Sequence, residues 1–243
     1  AIVEGRIVPM SEAKLPLTDL GFTRSDVTYD VVHVWNGAFF RLDDHLARFQ
    51  ASMKGLRMSI PLDTAGMKRE LMALVRATGL RNAYVSMCCT RGAPTPGLPR
   101  HPKYCTNRFY AYCVPFIWVM PEDMQARGAH AIVAKTPRIP PECVDPTIKN
   151  FHWGDMTRAV FEAADAGADI AFLLDQQGNV TEGPGFNIFA IGSNSAAMQQ
   201  SVRGLLDDAA RTRPLPSDWV YVANFEAAHR PMAIALPGRR APE

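Results

Sequence analysis

The sequence predicts a mixed α/β protein, with α/β or α+β layers, divided into two domains. Three observations point that way. Stretches dense in β-branched and aromatic residues, at 27–35, 82–90 and 108–119, alternate with segments of helical periodicity. Apolar residues make up 47% and charged residues 21% of 243, enough to build one large core or two small ones. A crossing at 115–123 interrupts the pattern. It places a smaller N-terminal domain at 1–117, a linker at 118–124 and a larger C-terminal domain at 125–243.

Residues 1–10 form a strand, a turn at Glu4-Gly5 and a second strand. Leu17 to Gly21 is expected to be a connection. Val27 to Trp35 alternates and is β-branched, and Asn36-Gly37 supplies a two-residue turn into Ala38-Phe39-Phe40. Asp43 or Asp44 can cap a helix to about Met53, with Leu46, Phe49, Gln50 and Met53 on one face and Gly55 beyond its end. A second helix is expected over 64–78, burying Met67, Leu71, Leu74 and Val75, with Gly79 closing it. Buried strands follow at 82–90 and 108–119. The stretch 91–102 between them is too rich in Pro and Gly for regular structure, a loop of the kind that carries function or is disordered. Beyond the crossing come a strand at 129–135, a helix at 153–166, a strand at 170–175, a turn at Gln177-Gly178 and a strand at 188–191.

A net charge of +2 argues against nucleic acid or a membrane surface as partner. No apolar run approaches the ~20 residues needed to cross a bilayer. The N-terminal residues lack a signal-peptide pattern, so the cytoplasm is the expected compartment. The five cysteines form no Cys-x-x-Cys pair, and at least four are expected to be small hydrophobes of the core. The six histidines lack ligand spacing, so no metal site is expected.

Four motifs carry chemistry. Lys149 lies in Val144-Asp145-Pro146-Thr147-Ile148-Lys149-Asn150-Phe151-His152-Trp153-Gly154-Asp155, an extended segment just before an Ala-rich helical pattern. About thirty residues on comes an acidic Gly-rich turn, Thr181-Glu182-Gly183-Pro184-Gly185-Phe186-Asn187. Such glycines let backbone approach a ligand closely. The third motif is Arg41-Leu42-Asp43-Asp44-His45-Leu46-Ala47-Arg48-Phe49, and the fourth runs from Ser25 through Tyr29 and Val31 to Gly37. Taken singly, Lys149 is one of 26 basic residues, Glu182 a turn carboxylate and Arg48 an arginine on an amphipathic helix. Taken together, they resemble the fold-type IV aminotransferases, which use pyridoxal 5′-phosphate (PLP). The similarity is greatest to (R)-selective amine transaminases and somewhat less to D-amino-acid aminotransferases.

That resemblance implies a role for each residue. Lys149 holds PLP as a Schiff base and shuttles the proton, Glu182 faces the pyridine nitrogen, and Arg48 grips the phosphate. A guanidinium suits the last task because its planar fork bonds two oxygens at once. Tyr29, Val31, Tyr84 and Ser86 line the substrate pocket, the last two sharing one face of their strand. Arg100 resembles the arginine that receives a substrate carboxylate. The implied activity transfers an amino group from an (R)-amine to a keto acid such as pyruvate, in a homodimer. Alternatives are D-amino-acid or branched-chain transamination, an aminodeoxychorismate-type lyase, or a non-catalytic paralogue. The resemblance covers residues 1 to about 191. Beyond it the family's phosphate-cradling turns are replaced by Arg203-Gly204-Leu205-Leu206-Asp207-Asp208-Ala209-Ala210-Arg211 and Asn224-Phe225-Glu226-Ala227-Ala228-His229. Carboxylates there would repel a phosphate dianion, so either the C-terminus is altered or shortened or the phosphate is held differently.

Overall fold

The computed structural model describes residues 1–190, 220–223 and 232–234. They fall into two compact units. The first comprises Ala1–Ile117 and Asp145–His152; the second comprises Trp118–Val144 and the described residues from Trp153 onward. Residues 145–152, which the sequence places in the second domain, therefore group with the first. The cause is local backbone pairing. Thr28 and Asn150 form an antiparallel bridge, and the Lys149 carbonyl accepts from Tyr29 N–H at 3.3 Å and Thr28 Oγ1 at 2.7 Å. The stretch 118–124 is not a bare linker. Met120 is buried in the second unit's core, and helix α4 (Glu122–Arg127) begins inside it.

The first unit contains β1 (Ile2–Val3), β2 (Arg6–Ile7), β3 (Val27–Trp35), β4 (Ala38–Phe39), β5 (Ala83–Thr90) and β6 (Arg108–Pro115). They form one antiparallel sheet in the order β2-β1-β6-β5-β3-β4. The hairpin turns have positive φ at both central residues: Glu4 50° and Gly5 72°, Asn36 52° and Gly37 84°. That backbone matches the strand twist, and Asn-Gly adopts it readily. Alternation sorts the side chains. Val32, Val34, Val85, Met87, Phe109 and Ala111 face helices α2 (Leu42–Gly55) and α3 (Thr64–Thr78), which cover them with Leu46, Phe49, Met67, Leu71 and Leu74. Truncating any of these fully buried leucines to alanine would cost about 2–5 kcal/mol. The other sheet face carries Tyr29, Val31, Tyr84 and Ser86.

Several boundaries differ from expectation for physical reasons. Leu20 begins a short helix, α1 (Leu20–Arg24), capped by Asp19, which accepts from Gly21 N–H at 2.7 Å. Five residues are too few to show periodicity. Helix α2 starts earlier than Asp43 or Asp44 would set it. Arg41 occupies the N-cap at φ 51° without a side-chain cap, and both aspartates lie in the first turn, at the positive end of the helix dipole. Strand β6 stops at Pro115, which has no N–H to continue a ladder. The Pro-rich loop is ordered by a Pro94–Cys105 bridge and by Thr95, whose N–H and hydroxyl both reach the Tyr104 carbonyl.

In the second unit β7 (Ala131–Val133) and β8 (Ile170–Phe172) pair in parallel. Helix α5 (Gly154–Asp165) packs on them through Ala159, Ala163 and Ala171, residues small enough to let helix and strand approach closely. Strands β9 (Asn187–Ala190), β10 (Val220–Ala223) and β11 (Met232–Ile234) form a separate antiparallel sheet. Among the described residues no helix is long and apolar enough to cross a membrane.

Only Cys89 and Cys113 are buried; Cys88 and Cys105 are half-buried and Cys143 is exposed, so fewer cysteines reach the core than the expected four. Burial pushes the Cys88 and Cys89 thiols up to about 12, which keeps both neutral.

Candidate active site

The lysine segment fills a gap that the sheet leaves. Because β4 has two residues, it covers only the end of β3, and the first half of that edge is open to another partner. Residues 149–150 take it through the bridge and carbonyl contacts already described. Gly55 makes room for the neighbouring Ile148: a Cβ there would lie 2.7 Å from Ile148 Cδ1. The side chain of Lys149 then lies over β3, with Nζ 4.7 Å from the centroid of the Tyr29 ring. Phe151 tilts against the same ring at 4.5 Å. A cation–π contact of this kind stabilises an ammonium by roughly 0.5–2 kcal/mol.

Register places the proposed pocket residues side by side. Val31 lies opposite Ser86, and Ser86 opposite Tyr112; Tyr29 lies opposite Cys88. The Tyr84 and Tyr112 rings stack at 6.2 Å. Val31 is wholly buried and Ser86 is 4% exposed, so these two make a floor, with the tyrosines standing around it. Tyr112 was not singled out from sequence. Its even spacing from Tyr110 on β6 was legible, but not the strand it would lie beside. Along 29–33, 84–88 and 110–112 this face presents no Asp, Glu, Arg or Lys.

Arg48 is on the helix side of the same strand. Its Nε donates to Asp30 Oδ2 at 2.7 Å and its Nη2 to Asp30 Oδ1 at 2.8 Å, while His45 Nδ1 lies 2.8 Å from the same Oδ1. The Asp30 side chain is wholly buried and that of Arg48 half exposed. Burial alone would raise the Asp30 pKa, but the bonds from Arg48 and His45 outweigh it and hold the carboxyl below its ordinary value. Asp30 therefore orients Arg48 along one edge of its fork.

In the second unit, Glu182 Oε1 accepts from Arg138 Nε at 2.9 Å. Arg138 Nη1 also donates to Asp155 Oδ2 at 2.6 Å. Neither Arg138 nor Asp155 was singled out from sequence. The available signal was Pro137-Arg138-Ile139-Pro140, a charged side chain held extended between two prolines. Gly183 is required by packing. A Cβ on it would collide with the Phe186 ring, so this glycine serves packing inside the turn. Gly185 has φ +81°, a conformation that favours glycine. Arg100 is exposed in the Pro-rich loop and makes no ion pair among the described residues. The two C-terminal stretches, 203–211 and 224–229, lie outside the described residues.

This architecture is that of the fold-type IV class. A branched-chain amino acid aminotransferase from Thermobaculum terrenum, solved in its PLP form, superimposes with a TM-score of 0.71 at 21% identity, over 97% of this chain and 84% of that one. A branched-chain aminotransferase from Thermoproteus uzoniensis, solved with norvaline, gives 0.77 at 20% identity, over 98% and 87%. The chain belongs to the Amino-transferase class IV family, whose profile matches residues 28–198. A profile for the Lon-like LonC helical domain also matches residues 218–243, most of which lie outside the described residues. A putative branched-chain-amino-acid aminotransferase from Methanocaldococcus jannaschii is 31% identical over 78% of this chain. A D-alanine aminotransferase from Bacillus licheniformis is 30% identical over 79%. The matches span 64% and 65% of those relatives' own lengths.

Pyridoxal 5′-phosphate is the cofactor of this family. Its chemistry calls for a primary amine, a carboxylate and a cation, and Lys149, Glu182 and the oriented guanidinium of Arg48 are groups of those types.

Proposed function

We propose that this chain is a PLP-dependent transaminase that moves an amino group from an (R)-amine to a keto acid such as pyruvate. The observation that carries the proposal is the clasp on Lys149, whose main chain is bonded to Thr28 and Tyr29 and whose Nζ lies over the Tyr29 ring. That clasp holds the Lys149 main chain so that its amine, once it has lost its proton, can meet a carbonyl brought to this sheet face.

When bound, the cofactor supplies an electron-accepting ring for the carbon that loses its proton. The protein does the rest. Lys149 Nζ would hold the cofactor through its aldehyde and, once displaced by the donor amine, would carry the proton from the donor's α-carbon to the cofactor carbon. Glu182 would keep the proton on the ring nitrogen, and Arg48 would bind the phosphate. Tyr29, Val31, Tyr84 and Ser86 bound the donor. With no charged group there, an aryl or alkyl amine without a carboxylate leaves no buried cation unpaired. Arg100 meets the carboxylate of the keto acid. Two copies of the chain are proposed to form the working unit.

A second reading is supported by the names of the relatives: transfer from D-amino acids or branched-chain amino acids. Incubation with each enantiomer of a 1-arylethylamine and pyruvate separates the two. The proposal expects alanine and aryl ketone from the (R)-amine, in clear excess over the (S)-amine. Turnover of amino acids alone, or preference for the (S)-amine, would overturn the amine reading. Arg100→Ala is expected to impair pyruvate and D-alanine far more than the arylamine half-reaction; equal losses would remove Arg100 from the carboxylate site.

A further inference from the structure

The Glu182 carboxylate is held by a side chain that is itself held through its backbone and its guanidinium. Arg138 N–H donates to the Leu174 carbonyl at 2.8 Å, and the Gln176 side chain donates to the Arg138 carbonyl at 2.8 Å. The guanidinium then bridges Glu182 Oε1 and Asp155 Oδ2. Asp155 is fixed as firmly, accepting from the backbone N–H of Ile139 and of Met156, each at 2.8 Å. Side-chain exposure is 14% for Arg138, 7% for Asp155 and 35% for Glu182.

One guanidinium cannot neutralise two carboxylates, so the three groups together carry a single surplus negative charge. Asp155 is the more buried anion and makes the shorter bond, so it takes the larger share of the Arg138 cation. The surplus falls to Glu182, the most exposed of the three. Burial opposes both ions of the inner pair. Yet backbone and Arg138 hydrogen bonds hold Asp155 below its ordinary pKa, and the bonds to Asp155 and Glu182 hold Arg138 above its own.

We infer that Arg138 and Asp155 are positioning residues for Glu182. Arg138 fixes one carboxylate oxygen, and Asp155 draws off the Arg138 charge, so that the other oxygen meets a cationic aromatic N–H with its negative charge intact. The inference rests on the assignment of Glu182 to the ring nitrogen of PLP.

The test compares PLP with its 1-deaza analogue, which has the same aldehyde and phosphate but a C–H in place of the ring nitrogen. The full-length chain is stripped of cofactor, and affinity for each compound is read from absorbance and fluorescence. Arg138→Lys keeps the cluster's charge and removes the fork; Asp155→Asn keeps the shape and removes the charge. Each is expected to lower PLP affinity about tenfold, roughly one charge-assisted hydrogen bond, and to change that of the analogue no more than about twofold. Parallel loss of both compounds in the two variants, or loss of neither, would make the pair mere scaffolding and overturn the inference. Glu182→Gln serves as the reference. If it too weakened both compounds alike, the assignment of Glu182 itself would fall.

Discussion

Asp30 lies on β3 with its carboxylate wholly buried between two side chains of α2, His45 and Arg48. A buried carboxylate is tolerated only where donors surround it, and here they are two side chains of one helix face, three residues apart, and the Val31 N–H at 2.7 Å. The same contact gives Arg48 a fixed direction, which a phosphate clamp requires. Arg48→Ala should therefore act in two ways. Stability is expected to fall by about 1–3 kcal/mol, because Asp30 loses two hydrogen bonds but keeps those to His45 and the Val31 N–H. PLP affinity should fall by about tenfold or more, while affinity for pyridoxal, which lacks the phosphate, should change little. Equal losses for PLP and pyridoxal would leave Arg48 as a partner of Asp30 alone. At this scale the roles proposed for Lys149, Glu182 and Arg48 were read from their neighbours in sequence. Asp30 was not singled out, although it shares the parity of Val32 and Val34 and so points to the core side. Arg138 and Asp155 were not legible, because their meaning lies in a contact with a turn forty-four residues from Arg138.

Elements were easiest to foresee where the cause was local. Strand β3, helix α3 and both Gly-containing hairpin turns follow from alternation, periodicity and the positive φ that Asn and Gly accept. The pairing of residues 149–150 with the edge of β3 could not be foreseen, because it depends on β4 being too short to cover that edge. The Pro-rich loop shows how a local rule can be right about composition and incomplete about structure. Gly92, at its base, has φ +82°, and a Cβ there would run into the Thr106 carbonyl. Backbone cannot yield as a flexible side chain can. Gly92→Ala is thus expected to cost about 1–3 kcal/mol in urea unfolding, in addition to any effect on Arg100. A variant as stable as the parent would show that the loop base is less tightly closed than these contacts require.

For the whole molecule, carboxylates tie the pH response of stability to distant elements. Asp30 and Asp155 lie below their ordinary values, and Asp169 lies at about 2, held there chiefly by its hydrogen bond from Arg127. A carboxyl whose folded pKa is depressed binds fewer protons when native. The stability it supplies is present above its unfolded value, about 3.9, and is lost as pH falls through the folded one. The urea midpoint should therefore be insensitive to these groups between pH 5 and 7 and fall between about pH 4 and 2. In Asp30→Asn that fall should be shallower. A midpoint that rises on acidification would contradict the ion pairs described.

The central claim is that Lys149 is the group that takes the cofactor. The most direct measurement adds PLP to the purified chain, reduces it with borohydride and maps the attached phosphopyridoxyl group by peptide mass spectrometry. A yellow complex before reduction, with the label on Lys149 and none in Lys149→Ala, is the predicted result. Label on another lysine, or equal labelling of the variant, would contradict it.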